Sequence, residues 1–298
     1  MTSFWSWFVT IVTLANILGC LWLIRWTAKP RAGEAPVGET TGHTWDEGTL
    51  ADLNNPMPRW WLWMFYGTIV FGLVYLALYP GLGNYRGLLG WSQEGQWERE
   101  VELAEQRYGP IFAAFAERSV RDLAQDEEAL RVGRSLFASY CSQCHGSDAQ
   151  GGFGFPNLTD GIWNWGGEPE QIMTTLMRGR QAAMPALGAV LRTDETIDAV
   201  VQHVLSLSNP DIESNEVGST AYRQFCMACH GPEGKGNVLL GSPDLTNGVW
   251  LYGGSPGVIR QTIMQGRNGV MPAFAHFLGE DRLHVLTAYV YSLSQDKR

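Results

Sequence analysis

Cys141-Ser142-Gln143-Cys144-His145 and Cys226-Met227-Ala228-Cys229-His230 decide how this chain is read. Each places two thiols about one helical turn apart with an imidazole just beyond, the spacing at which two thioether bonds hold a haem whose iron the His ligates. A disulfide, a zinc site or a thioredoxin-like couple accounts for a Cys pair but leaves the adjoining His without a role. Two copies exclude accident. The expectation is two covalently bound haem c groups, one on Cys141 and Cys144 and one on Cys226 and Cys229, with His145 and His230 as iron ligands.

The surroundings repeat as well, at a spacing of roughly 85 residues. Asn157-Leu158-Thr159-Asp160-Gly161-Ile162-Trp163 recurs as Asp244-Leu245-Thr246-Asn247-Gly248-Val249-Trp250, and each is followed by Gly-Gly. Gly179-Arg180, three residues and Met184-Pro185 recur as Gly266-Arg267, three residues and Met271-Pro272. Each copy closes on Ser-Leu-Ser, at Ser206 and at Ser292. The expected units are two tandem haem domains, 129–209 and 210–298.

An iron held by one His takes a sixth ligand, and the soft thioether of Met suits a low-spin electron-transfer iron and raises its potential. Met184 and Met271 compete for this role with Met177 and Met264, which also recur. The latter pair sits at helical spacing with Ile172, Leu176, Ile259 and Ile263, where Met fills cores. Met184 and Met271 precede Pro, which favours the extended backbone of a loop crossing a flat ligand. Linear order leaves open whether each Met serves its own repeat or the other.

The N-terminal part has another character. Phe4 to Trp26 carries no charge before Arg25, and Trp5, Trp7, Trp22 and Trp26 lie near its two ends, as in a transmembrane helix of about 4–26. Arg25, Lys29 and Arg31 follow the apolar run, the reverse of a signal peptide. A second span of about 60–80 starts with Trp60, Trp61 and Trp63 after Arg59 and stops at Pro80-Gly81. Lys29, Arg31 and Arg59 put the intervening loop in the cytoplasm and both termini in the periplasm, the side on which bacteria attach haem. Residues 1–83 thus read as a two-pass anchor. Within the first span Cys20 is expected as a small buried residue and Asn16 as one that hydrogen-bonds a neighbouring helix, and His43 in the loop as a solvated one.

Residues 84–128 read as a helical linker, either a spacer or an arm against a partner subunit, with helix over 98–124 broken near Gly109-Pro110. The haem units read as mainly helical, closing on 195–207 and on the helix that carries Leu283, Leu286, Val290 and Leu293. Trp163 and Trp250 are candidates for packing against haem. Arg180 and Arg267 are either propionate partners or ordinary surface arginines. His203, His276 and His284 lack equivalents in the other repeat and are expected to be structural. From Asn84 onward the chain carries 25 acidic and 17 basic residues, which argues against nucleic acid and fits a partner with a basic face.

Tyr79-Pro80-Gly81-Leu82-Gly83-Asn84 with Gly87-Leu88-Leu89-Gly90-Trp91, ahead of two haem motifs, resembles the dihaem subunit III of cbb3-type cytochrome c oxidases, the CcoP/FixP family. The resemblance implies a mainly α chain: two transmembrane helices followed by two tandem class I cytochrome c-like domains. It implies haem attachment at Cys141, Cys144, Cys226 and Cys229, and axial bonds from His145, Met184, His230 and Met271. It further implies a bacterial inner-membrane complex with a catalytic haem-copper subunit and a monohaem cytochrome c subunit, fed by a soluble or membrane cytochrome c. A free-standing dihaem shuttle and a dihaem peroxidase are the competing functions. Closure of both irons by Met opposes the peroxidase, whose iron needs an open position.

Overall fold

The computed structural model describes residues 1–29 and 32–295 and is mainly helical. Arg31, one of the charges behind the topology expectation, lies outside the described residues. The chain forms two units, Met1–Gln106 and Arg107–Arg298.

In the first unit, α1 (Ser3–Thr27) and α2 (Arg59–Leu78) are both long and apolar enough to cross a membrane. At 25 and 20 residues they span about 37 and 30 Å, against a hydrocarbon core of about 30 Å. Ile24 is the one buried residue of α1, and α2 has none, so their apolar side chains face outward. The chain leaving α2 returns to the start of α1: the Asn84 N–H donates to Ser6 Oγ at 2.9 Å and its Nδ2 to the Met1 carbonyl at 3.3 Å. Both ends of the helix pair therefore lie on one side.

The loop between the spans holds an antiparallel hairpin of β1 (Thr40–Trp45) and β2 (Leu50–Leu53) that the sequence reading does not include. With nearly every side chain exposed, its strands carry little period-2 signal. His43 is exposed there, 3.5 Å from Asp52.

Helix α3 (Gln93–Ala116) corrects the expected break at Gly109-Pro110, because it runs through Pro110 and stops at Ala116 rather than near 124. Pro removes one helical hydrogen bond. Beyond it Phe115 is buried in a core with Leu123, Ala129, Val285 and Ala288, with Phe112 packed alongside, so tertiary contacts hold the last turns in place. A short helix α4 (Val120–Leu123) follows, capped by Ser119. Residues 107–128, expected as part of a linker, thus pack into the second unit.

Each repeat then runs through the same elements. The first has α5 (Glu127–Tyr140), the motif helix α6 (Ser142–His145), α7 (Pro169–Arg178), β3 (Arg180–Met184), α8 (Gly188–Leu191) and α9 (Asp194–Ser208). The second has α10 (Glu216–Phe225), the motif helix α11 (Met227–His230), α12 (Pro256–Gln265), β4 (Arg267–Met271), α13 (Ala275–Leu278) and α14 (Glu280–Ser292). Glu168 and Gln171 form a capping box at the start of α7, and Pro169 and Pro256 occupy the first helical positions of α7 and α12.

The packing does not follow chain order. Helix α14 lies on α5 and α7, whereas α9 lies on α10 and α12. One core joins Phe137, Cys141, Ile172 and Leu176 of the first repeat to Leu278, Leu283, Leu286 and Tyr289 of the second. The other joins Leu191, Ile197, Val200 and Val204 of the first to Tyr222, Cys226, Leu245 and Ile259 of the second. Glycines let these helices meet: a Cβ on Gly133 would lie 2.5 Å from Tyr289 Cβ, and one on Gly218 would lie 2.1 Å from the Ala199 carbonyl. Strands β3 and β4, one from each repeat, pair antiparallel. Each of the two repeats lends its closing helix to the other.

Candidate functional site

In both motifs the first Cys, Cys141 or Cys226, is buried and the second, Cys144 or Cys229, is exposed. Burial pushes the Cys141 and Cys226 thiols up to about 11. Each motif helix is entered from a longer helix and leaves through a glycine, Gly146 or Gly231.

The His that follows is oriented from behind. His145 Nδ1 lies 3.1 Å from the Pro156 carbonyl and His230 Nδ1 lies 3.2 Å from the Pro243 carbonyl. A carbonyl only accepts, so Nδ1 carries the proton and Nε2 keeps its lone pair for a metal. Burial lowers both imidazole pKa values, partly opposed by these carbonyls, which favours the neutral ligating form.

Two buried donors lack partners among the described residues: Trp163 Nε1 and Arg267 Nη2. Arg267 is held by its other atoms, with Nε donating to Thr262 Oγ1 at 2.9 Å and the guanidinium 4.4 Å above the Tyr252 ring. Arg180 repeats the pattern with Thr175 Oγ1 at 2.8 Å and the Trp165 ring at 4.7 Å. Both arginines are half-buried and anchored rather than loose on the surface. Unpaired buried donors cost stability unless a partner arrives, and an anionic carboxylate satisfies both of these. Together the Cys pairs, the lone Nε2 atoms and the orphaned donors fit a haem with its propionates at each motif.

Comparison with known families is decisive. The model described as "Cytochrome C oxidase, cbb3-type, subunit III" matches residues 128–204 and again 213–290, and the "N-terminal domain of cytochrome oxidase-cbb3, FixP" matches residues 37–86. The chain belongs to the cbb3-type subunit III family. Among the relatives of this subunit III chain, a "Cbb3-type cytochrome c oxidase subunit CcoP" of Rubrivivax gelatinosus is 44% identical, over 98% of this chain and 96% of its own. Another CcoP from Cereibacter sphaeroides is 37% identical over 89% of this chain and 97% of its own. A FixP from Azorhizobium caulinodans is 38% identical over 85% and 92%.

In this subunit III chain Met184 and Met271 end β3 and β4, on the extended backbone that a following Pro favours. Met184 packs against the core that contains Cys226, and Met271 against the core that contains Cys141. Of the competitors, Met177 also packs near Cys141, but its counterpart Met264 is exposed and its Sδ accepts from Arg260 Nη1 at 2.9 Å. Trp163 and Trp250 pack on the two cores, one each.

The other histidines have structural partners. His203 Nδ1 is 2.7 Å from Ser214 Oγ, His284 Nε2 donates to the Arg118 carbonyl at 2.8 Å, and His276 meets the Phe277 ring. Sequence reasoning passed over Thr175 and Thr262, which position the arginines. Their signal was available, since both lie five residues before an Arg that itself recurs.

Proposed function

We propose that this chain is the dihaem electron-transfer subunit of a cbb3-type terminal oxidase and not an enzyme on its own. Cys141 and Cys144 attach one haem c and Cys226 and Cys229 the other. His145 and His230 would ligate the irons through Nε2, and Met184 and Met271 would supply their thioether ligands. Bound there, haem supplies a one-electron couple. The chain's residues keep each imidazole neutral and aimed, close the irons, and offer Arg180, Arg267 and Trp163 to propionates.

The observation that carries this reading is the duplicated His geometry, each Nδ1 tied to a carbonyl behind a C-x-x-C-H turn, in a member of this family. The partners we infer are a catalytic haem-copper subunit, a monohaem cytochrome c subunit and a cytochrome c donor. The location we infer is the bacterial inner membrane, with both termini and both haem sites in the periplasm. The return of Asn84 to Met1 supports two passes with both ends on one side.

Isolation in mild detergent with subunit identification tests the assignment. Co-purification with an oxidase whose denatured subunits include this chain, staining for two covalent haems, supports it. A chain that emerges alone and haem-loaded from membranes with an intact oxidase identifies a free shuttle instead.

A further inference from the structure

The two sites differ where a closing helix meets the helix that leads into a motif. At the first, Tyr289 of α14 packs on Phe137 of α5 with ring centroids 5.5 Å apart. At the second, His203 of α9 packs on Tyr222 of α10 at 5.0 Å. The positions correspond, since Tyr289 and His203 each stand three residues before Ser-Leu-Ser, and Phe137 and Tyr222 each stand four before the first motif Cys. A titratable imidazole thus replaces a phenol, and a phenol replaces a plain ring.

Tyr222 is 1% exposed and lies one helical turn, about 6 Å of helix axis, before Cys226. Its hydroxyl donates to the Gly231 carbonyl at 2.8 Å, and Gly231 directly follows His230. Phe137 offers no such donor to Gly146. His203 is half-buried: its ring rests on Tyr222, in the core that contains Cys226, and its Nδ1 lies 2.7 Å from Ser214 Oγ. The imidazole therefore exchanges protons with water while it touches the inner wall of the second site.

The charges on the elements around α9 do not neutralise it. On α10 these are Arg223 and, two turns earlier, Glu216; α8 carries none. On α12, Arg260 is engaged by Asp194 and Asp198 of α9 itself. Glu213, in the segment after α9, meets that helix through its carbonyl, which accepts from Gln202. Burial first, and Arg223 next, hold the His203 imidazole below its ordinary range, so it titrates on the acid side of about 6.5.

We propose that His203 tunes the second haem site, coupling reduction of that haem to proton uptake at its imidazole, and that the first site lacks this coupling. This rests on the reading that both motifs hold haem. One electron from the cytochrome c donor enters the iron and lowers its charge by one. The imidazole responds by drawing a fraction of a proton from solvent onto its free ring nitrogen, and no other bond forms or breaks. A protonated ring favours the reduced iron by simple electrostatics, so the potential is higher on the acid side and falls as pH rises through the imidazole pKa. Tyr222, tied to Gly231, is the positioning residue that holds this ring at a fixed distance. The gap between the two haem potentials thereby depends on pH.

The test is a potentiometric titration of the full haem-loaded chain in mild detergent at a series of pH values. One of the two haem potentials should fall more steeply than the other as pH rises toward neutral. His203→Tyr, which copies Tyr289 of the first repeat, should remove that extra slope and leave the other component unchanged. Propionates act at both sites, so the slope they cause survives the substitution. Should His203→Tyr fail to fold, His203→Gln, which keeps a polar partner for Ser214, is expected to give the same result. Equal slopes in the native chain and in the variant overturn the proposal.

A second measurement needs no variant. Magnetic resonance of the histidine ring protons should give a His203 pKa that is higher in the fully reduced chain than in the oxidised one. A value indifferent to redox state contradicts the proposal even where the haem reading stands. A chain that shows no haem component at all refutes the haem reading first, and the proposal with it.

Discussion

Gly179 and Gly266 carry two demands at once, a positive φ and a backbone from the other repeat within 3 Å. Left-handed strain at a non-Gly residue costs about 1–3 kcal/mol, and here the added methyl also meets backbone that cannot swing aside. Gly248 has φ +74° but nothing within 4 Å of a Cβ, so it isolates the strain alone. Thermal unfolding of the haem-loaded chain should rank Gly179→Ala and Gly266→Ala well below Gly248→Ala in stability. Equal losses at the three positions would show that the contact is looser than the geometry requires. At the same scale, replacing Cys144 and Cys229 together should remove all haem staining from denaturing gels, and replacing either one should weaken it without abolishing it. These candidates could be picked from the sequence because thioether chemistry demands a fixed spacing. The clash that demands glycine was not, because the atoms it involves lie a whole repeat away.

Helices and strands differ in how far local sequence determines them. The closing helices α9 and α14 follow from their apolar periodicity, and the membrane helices from length and composition alone. Strands β3 and β4 do not, since Arg-Gln-Ala-Ala-Met and Arg-Asn-Gly-Val-Met are short, weakly patterned and paired with a distant partner. Which closing helix joins which motif is illegible for a deeper reason: the repeats are chemically equivalent, so either pairing buries the same kinds of residue. The exchange has a measurable consequence at Leu286, which is fully buried against the first repeat's core. Leu286→Ala should cost about 2–5 kcal/mol. In hydrogen exchange it should strip protection from α5 while leaving α10 protected. At the start of helix α5, Asp126 Oδ1 accepts from the Glu128 and Ala129 N–H groups and Oδ2 from Arg118 Nη1 at 2.6 Å. The Ala129 N–H first, and Arg118 next, hold this carboxyl below its ordinary range. A depressed folded pKa means stabilisation present above the unfolded value of about 3.9 and lost as pH falls through the folded one. Asp126→Asn should therefore flatten the acid limb of the stability profile followed by circular dichroism, and an unchanged limb would remove Asp126 from the account.

The whole molecule has two N-terminal helices long and apolar enough to cross a membrane and, after them, an acidic remainder that carries both C-x-x-C-H motifs. From Asn84 onward 25 acidic residues outnumber 17 basic ones, an imbalance that would steer a basic donor such as the cytochrome c proposed above toward it. Reduction of the full chain by such a donor should slow as ionic strength rises, because salt screens the attraction beyond about 10 Å at 0.1 M. A rate indifferent to salt would point to a donor bound through apolar contacts. The anchor's orientation is open to labelling at an engineered cysteine near Thr40, in the loop between the spans. That site should react only when the cytoplasmic face is exposed, and labelling from outside intact spheroplasts would invert the topology. The central claim, that this chain passes electrons into an oxidase and reduces no oxygen itself, is tested most directly by cytochrome c-driven oxygen uptake in membranes with and without it. Uptake should be lost when the chain is absent and return when it is restored, whereas full uptake in its absence would contradict the claim.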